Sequence, residues 1–487
     1  MQRYFWLIFF FYYTVCYAQF IDISQRTPFC QYDYNTTGVS WNKIDCSVSC
    51  QVYRPDVVIA TSEGTNPDIK VYLNLTNLPG SGDSLRFYYI GDKMRPQGTN
   101  IQIQTGTIWN PVLLNFDNKS SLDFFYNHAL GRVFGYSTSF TGSIYLVSTQ
   151  TYFPGQFNTV VNCFTINDFD NDNQADIIVG FRYNLHQYYK SAKPGSAPLN
   201  IFQDRKLCNQ IIILDVNNDQ WQDLYFVNEG QPNTCYINQG DLQFTESACE
   251  LGIDDPGISK SAVTADFNRD GWVDIFVANY GRSRLYINQG GLGFNDETED
   301  WGLTEEGTAN AATVGDYDRD GFIDLFIARG THQQPMANLL YHNRQGSGFE
   351  AVTASVVTQP VAFSTCAAFA DYNEDGGLDL YVGNYGPDEF YQNSDNLTPS
   401  IKVVFKGDQI GGNNVYAFQA VLRLETLSGD IVGYRQITAG AEPTNQTIFG
   451  GVVAGQDYRL KLFHPRLTAP YEQTVSSGAT HTISNIY

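Results

Sequence analysis

The chain has 487 residues, 43% of them hydrophobic and 15% aromatic, with 43 Gly and only 3 Met. That length exceeds one simple core, and a composition rich in strand and turn formers excludes a helical bundle; the expected class is all-β. A formal net charge of -22 excludes nucleic acid as a partner, because binding to phosphates needs an excess of Lys and Arg.

Residues 1–18 read as a secretory leader: Arg3, an apolar stretch over 4–15, then Cys16-Tyr17-Ala18 with small residues where a signal peptidase cuts. The stretch holds about 12 residues where a bilayer span needs about 20, so cleavage and secretion are expected rather than anchoring. No later segment is apolar enough to span, and residues 469–487 are too polar for a lipid-anchor tail. The mature protein is expected to be secreted and extracellular, with no membrane span. Eight cysteines remain after Cys16: Cys30, Cys46, Cys50, Cys163, Cys208, Cys235, Cys249 and Cys366. Pairing is expected between Cys235 and Cys249 across one hairpin, and among Cys30, Cys46 and Cys50. Five sequons, at Asn35, Asn74, Asn118, Asn396 and Asn445, fit a glycoprotein.

The organising feature is a nine-residue loop that recurs five times without gaps. Its oxygen-bearing positions 1, 3, 5 and 9 are Asp168, Asp170, Asp172 and Asp176; Asp215, Asn217, Asp219 and Asp223; Asp266, Asn268, Asp270 and Asp274; Asp316, Asp318, Asp320 and Asp324; and Asp371, Asn373, Asp375 and Asp379. Starts lie 47, 51, 50 and 55 residues apart, a period that fits one propeller blade of about four strands per repeat. A strand-forming run follows each loop, as in Ile275-Phe-Val-Ala, and a Tyr-x-Asn landmark follows in register at Tyr236, Tyr286, Tyr341 and Tyr391. Upstream, residues 115–123 keep positions 1, 3 and 9 but carry Lys119 at position 5, so no metal is expected there. Residues 56–60 and 72–74 keep only the strand and the tyrosine. Seven blades are therefore expected over 46–399, the first two degenerate, after an N-terminal segment 19–45.

Carboxylate and amide oxygens at that spacing are donors for calcium, with a backbone carbonyl near position 7 (Gln174, Trp221, Trp272, Phe322, Gly377) able to join. Zinc would take His and Cys. An EF-hand is excluded because position 12, such as Val179, Phe226 or Val277, is not glutamate. Position 6 must turn sharply; Gly271, Gly321 and Gly376 do so readily, Asn173 less so and Gln220 least, which ranks the loop at Asp215 last. The loops hold 17 aspartates, which would repel one another without cations among them. About five bound Ca2+ are expected.

These residues resemble the FG-GAP/VCBS repeat proteins, whose propellers include those of integrin α-chains. The stretch 284–303, Arg-Leu-Tyr-Ile-Asn-Gln-Gly-Gly-Leu-Gly-Phe-Asn-Asp-Glu-Thr-Glu-Asp-Trp-Gly-Leu, is similar to the cartilage acidic protein branch. In that branch an ASPIC/UnbV region follows the propeller. Residues 403–407, 411–424 and 448–451 resemble its landmarks, although Gly451 lacks the usual following Leu-Gly. A small C-terminal β domain over 400–487 is expected accordingly. The resemblance implies extracellular adhesion, matrix association or ligand recognition, with a protein or glycan partner and calcium in a supporting role.

An enzyme is not expected. The chain has no His-Glu-x-x-His helix, no Gly-x-Ser-x-Gly elbow and no phosphate-cradling glycine loop, and its six histidines are scattered. The alternatives are a carbohydrate-binding lectin, with Trp221 and Trp272 the first stacking candidates, and a polysaccharide-acting hydrolase or lyase.

Overall fold

A computed structural model describes residues 20–22 and 24, eight strands between 33 and 150, and residues 161–484 apart from 173, 175, 183, 191–196, 204, 395–398, 407–419, 437–445 and 466. The leader, Cys30, Cys46, Cys50, Lys119 and the sequons at Asn118, Asn396 and Asn445 lie outside the described residues. Asn35 and Asn74 fall within strands.

The described chain is almost wholly antiparallel sheet, as the composition predicts; its one α-helix is the single turn Ala248–Leu251. Among the described residues no helix is long and apolar enough to cross a membrane. Successive units are small meanders. The first runs through Asp33–Asn42, Asp56–Thr61, Asp68–Asn74 and Phe87–Tyr89, and the second through Ile108–Leu114, Asp123–His128, Arg132–Phe140 and Ile144–Gln150. Val161–Asn167, Asp176–Phe181 and Gln187–Tyr189 form the third, which Leu199 bridges at Tyr188. Cys208–Leu214, Asp223–Asn228, Thr234–Asn238 and Phe244–Glu246 form the fourth. The fifth comprises Ile258–Ala265, Asp274–Arg282, Arg284–Asn288 and Phe294–Asp296. Glu306–Gly315, Asp324–Arg329, Leu339–Asn343 and Phe349–Ala351 make the sixth. In the seventh, Ser364–Ala370, Asp379–Pro387 and Glu389–Asn393 are completed by Phe20–Asp22 from the far end of the chain.

Second strands of units three to seven are buried on both faces over their first six residues, which explains their continuous β-branched and aromatic runs. The apolar cores lie between units rather than within them. One core joins Cys163, Phe169 and Ile178 of unit three to Ile211, Phe226 and Tyr236 of unit four, and another joins Phe267 and Phe276 of unit five to Leu325 and Tyr341 of unit six. First strands lie side by side in chain order, and Asp33–Asn42 of the first unit also packs on Ser364–Ala370 of the seventh. Near the start of these strands a register shift recurs, at Cys163, Gln210, Ser261, Ala311 and Cys366, the kind of bulge that bends a strand.

After residue 400 a different packing begins. Ile401–Lys406 pairs with Gln446–Phe449 and, in parallel, with Thr480–Ser484. Val421–Thr426 lies between Ile431–Gln436 and Asp457–Phe463, with Tyr471–Ser476 at the edge. The two sheets enclose their own core of Ile401, Val403, Leu422, Leu424, Phe449, Leu460 and Ile483.

Candidate metal loops

Each of the five loops joins the first strand of a unit, from three to seven, to the second. The position 1 aspartates Asp168, Asp215, Asp266, Asp316 and Asp371 and the position 9 aspartates Asp176, Asp223, Asp274, Asp324 and Asp379 are all buried. At position 9 one oxygen accepts the backbone N–H of position 2, from Phe169 at 3.0 Å to Tyr372 at 3.1 Å. At position 1 the carboxylate accepts the N–H of position 6, from Gln220 and Gly271 at 2.9 Å, Gly321 at 3.1 Å and Gly376 at 3.2 Å. The aspartates therefore fold the turn as well as charge it.

Position 6 is left-handed as the spacing predicts, with φ 72° at Gln220 and 87° at Gly271; Asn173 is outside the described residues. Position 4 is left-handed in all five loops, at Asn171, Asn218, Arg269, Arg319 and Glu374. Sequence reasoning missed this second bend, because only two of those residues are asparagine.

It also missed a role for the Tyr-x-Asn landmark. The backbone N–H of Asn238, Asn288, Asn343 and Asn393 donates to the position 9 aspartate of its own unit at 2.7–2.8 Å. Each side-chain amide donates to the position 2 carbonyl of the preceding loop: Phe169 at 3.0 Å, Val216 at 3.0 Å, Phe267 at 2.9 Å and Tyr317 at 2.7 Å. One buried asparagine thus ties each loop to its neighbour. The recurring Asn was the visible signal; its partner, in another repeat, was not.

Close carboxylate triads form in the two loops that have Asp at position 3: Asp168, Asp170 and Asp176, and Asp316, Asp318 and Asp324. Where position 3 is asparagine its amide instead donates to position 5, Asn217 to Asp219 and Asn268 to Asp270 at 2.9 Å, and Asn373 to Asp375 at 2.8 Å. Burial pushes Asp215, Asp266 and Asp316 up to about 7 and Asp320 up to about 6, and lifts Asp223, Asp274, Asp324 and Asp379 well above the carboxylate range. Neighbouring carboxylates add to the rise. Such sites favour a counter-cation. The donor set fits one, since Asp316 Oδ1 and Asp371 Oδ1 are buried without a hydrogen-bond partner, and an all-oxygen set suits calcium.

Three loops already meet a cation of the protein itself. Lys190 Nζ pairs with Asp170 and lies 3.4 Å from Asp172. In the loop at Asp316, His342 Nδ1 is 2.9 Å from Asp318 Oδ2 and 3.4 Å from Asp324 Oδ1. Burial opposes a charge on His342, but its bonds to Asp318 and Asp324 prevail and lift its pKa to about 10. Lys402 Nζ, from the C-terminal sandwich, lies 3.3 Å from Asp371 Oδ2 and 4.0 Å from Glu374.

That sandwich touches the four loops of units four to seven. Gly450 N–H donates to Asp316 Oδ2 at 3.1 Å and Gly451 N–H to the Arg319 carbonyl at 2.9 Å. Arg269 donates to the Ile431 carbonyl at 2.9 Å, and Gln436 to Gln222 at 2.7 Å. Trp221 packs over Gly240 and Trp272 over Gly291, and both indoles stay partly exposed. The expected Cys235–Cys249 disulfide is absent: Cys235 is buried in the sheet core, whereas Cys249 is exposed on the helical turn after it.

An FG-GAP-like repeat model matches residues 215–277, 266–327 and 316–382, each match beginning at position 1 of a loop. The chain carries FG-GAP-like repeats. It is also similar to cartilage acidic protein 1 of Homo sapiens, 42% identical over 59 residues, which are 12% of this chain and 9% of the relative. The Xenopus tropicalis protein of that name is 37% identical over 71 residues, 14% of this chain and 11% of the relative. In these matches the chain spans only a small part of the curated relatives. Among solved structures, a lectin from Agrocybe aegerita described as recognising non-reducing terminal N-acetylglucosamine matches with TM-score 0.42 and 13% identity, over 89% of this chain and 98% of that one.

Proposed function

We propose that the chain is a secreted, calcium-stabilised seven-bladed β-propeller that acts as an extracellular adhesion, matrix or ligand-recognition module and not as an enzyme. The observation that carries the reading is the run of five like-spaced loops, four of them inside the FG-GAP-like matches, whose position 1 and position 9 carboxylates are buried and held in place. The seven-blade count is supported by the packing of the first unit on the seventh and by closure of the last sheet with Phe20–Asp22. Calcium on oxygens of positions 1, 3, 5 and 9 balances the clustered carboxylates and pins each turn, so its role is structural.

Since the C-terminal sandwich sits on the loops of units four to seven, recognition falls to the other end of those sheets. There Tyr385 is half exposed, stacks on Phe363 at 5.6 Å and meets His332 at 5.3 Å, with Val361 exposed beside them. Tyr385 stands six residues along its strand from Asp379, about 20 Å from the loop at 3.3 Å per residue. An apolar, aromatic surface of this kind suits a protein partner. Packing of Trp221 on Gly240 and of Trp272 on Gly291 favours a structural use of both indoles over sugar stacking.

Calorimetric titration of the chelated protein tests the reading: about five calcium ions bind, and calcium raises the melting temperature. No uptake, with unchanged melting, overturns it.

A further inference from the structure

Units three and four carry a feature that the metal loops do not explain. Cys163 and Cys208 stand on first strands of adjacent sheets, both with no exposed surface, and their sulfurs are 3.1 Å apart. Asn162 clamps the same two strands, donating to the Cys208 carbonyl at 2.7 Å and to Asn209 at 3.0 Å. Cys163 is in register with Gly180 on the second strand. A Cβ at residue 180 would stand 2.4 Å from the Cys163 sulfur and 3.3 Å from that of Cys208, so any larger residue would push the pair apart. In the next unit Val227 occupies the matching strand position. The bare glycine leaves the space in which Cys163 can rotate toward Cys208.

We propose that Cys163 and Cys208 are a disulfide-forming pair that covalently joins units three and four. A sulfur–sulfur bond is about 2.0 Å long, so the two sulfurs need approach by only about 1 Å. With oxidised glutathione as the oxidant, one cysteine thiolate attacks a glutathione sulfur and releases a glutathione thiolate. The second cysteine then attacks the protein sulfur of that mixed disulfide and releases the other glutathione. Two protein thiols are oxidised, one glutathione disulfide is reduced to two thiols, and the two cysteine protons pass to the solvent or the leaving thiolates. Both sulfurs are sealed in the folded core, so this exchange belongs to folding, before the two sheets close. Reductants then reach the finished bond only when the sheets part.

The test is to refold the full chain in a glutathione redox buffer, isolate the folded fraction, and block remaining thiols in denaturant without reductant. Cleavage after Lys and Arg and before Asp puts Cys163 alone in residues 133–167 and Cys208 alone in 207–214. The expected product is these two fragments linked, two hydrogens lighter than their sum. In C163A the Cys208 fragment instead appears fully blocked. Reductant lowers the melting temperature of the wild type by more than that of the C163A/C208A double variant. Full blocking of both fragments in the folded wild type, or linkage of either to another cysteine, overturns the proposal. Calcium uptake by the same samples reads the metal loops separately, so loss of one result does not imply loss of the other.

Discussion

Asn288 shows how much of this molecule rests on single buried polar groups. Its side-chain amide serves the carbonyls of Val216 and Val273, at 3.0 and 3.1 Å, on two different loops. Asn288→Ala removes both donors and leaves two buried acceptors unpaired, at about 1–3 kcal/mol for each. The expected outcome is a lower denaturation midpoint by urea, with calcium still bound at the other loops. Titration of the aspartates gives a second residue-scale prediction. In chelated protein Asp215, Asp266 and Asp316 titrate near 7, whereas an unfolded aspartate titrates near 3.9. Between these values the folded state holds more protons, so stability falls as pH rises from about 4 to 7. His342, raised to about 10, acts in the same direction at higher pH, its contribution present below about 6.5 and lost as pH rises through about 10. Melting in chelator is therefore expected to rise on acidification from pH 8 to 5. Added calcium reduces that dependence; a chelated protein that melts lower at pH 5 than at pH 8 contradicts the assignment.

At the scale of the loop, side-chain identity and backbone shape were unequally legible. Positions 1, 3, 5 and 9 could be read because an oxygen donor must recur at fixed spacing, and the structure places the position 1 and position 9 aspartates in buried, turn-closing roles. The left-handed residue at position 4 could not be read, since Arg269, Arg319 and Glu374 carry no side-chain signature of that conformation; neighbouring N–H bonds to Asp266 and Asp316 enforce it. Cys235 and Cys249 misled for a related reason. Their spacing fits a hairpin, but only the structure shows one facing the core and the other solvent. Gln220 is the informative exception at position 6, a non-glycine residue at φ 72°. Left-handed backbone costs an L-residue about 1–2 kcal/mol, partly offset by the entropy glycine loses on folding. Gln220→Gly is expected to stabilise the protein by roughly 1 kcal/mol and to strengthen calcium uptake at Asp215; an unchanged denaturation midpoint would count against strain there.

Across the whole molecule, the hardest feature to foresee was that the C-terminal sandwich lies on the metal loops. Its contacts join residues far apart in sequence, such as Gly450 to Asp316 and Lys402 to Asp371, and no local pattern announces them. They couple two parts of the chain through one electrostatic problem: the sandwich brings a lysine and backbone N–H groups to carboxylates that are also the proposed calcium ligands. Gly450 is the point to probe. A Cβ there would stand 2.3 Å from Asp316 Oδ2, whose buried carboxylate already takes the N–H groups of Gly321 and Gly450, and 2.6 Å from the backbone of Arg319. Gly450→Val should therefore lift the sandwich off the loop at Asp316 while leaving the sandwich core, built around Leu422, Leu460 and Phe449, in place. Limited proteolysis is expected to cut the variant faster near residue 400, and small-angle scattering to show a larger radius of gyration. Calcium titration of the same variant decides what the cover does. Tighter uptake at the exposed loops means that the sandwich competes with the metal; weaker uptake means that its N–H groups help to hold it.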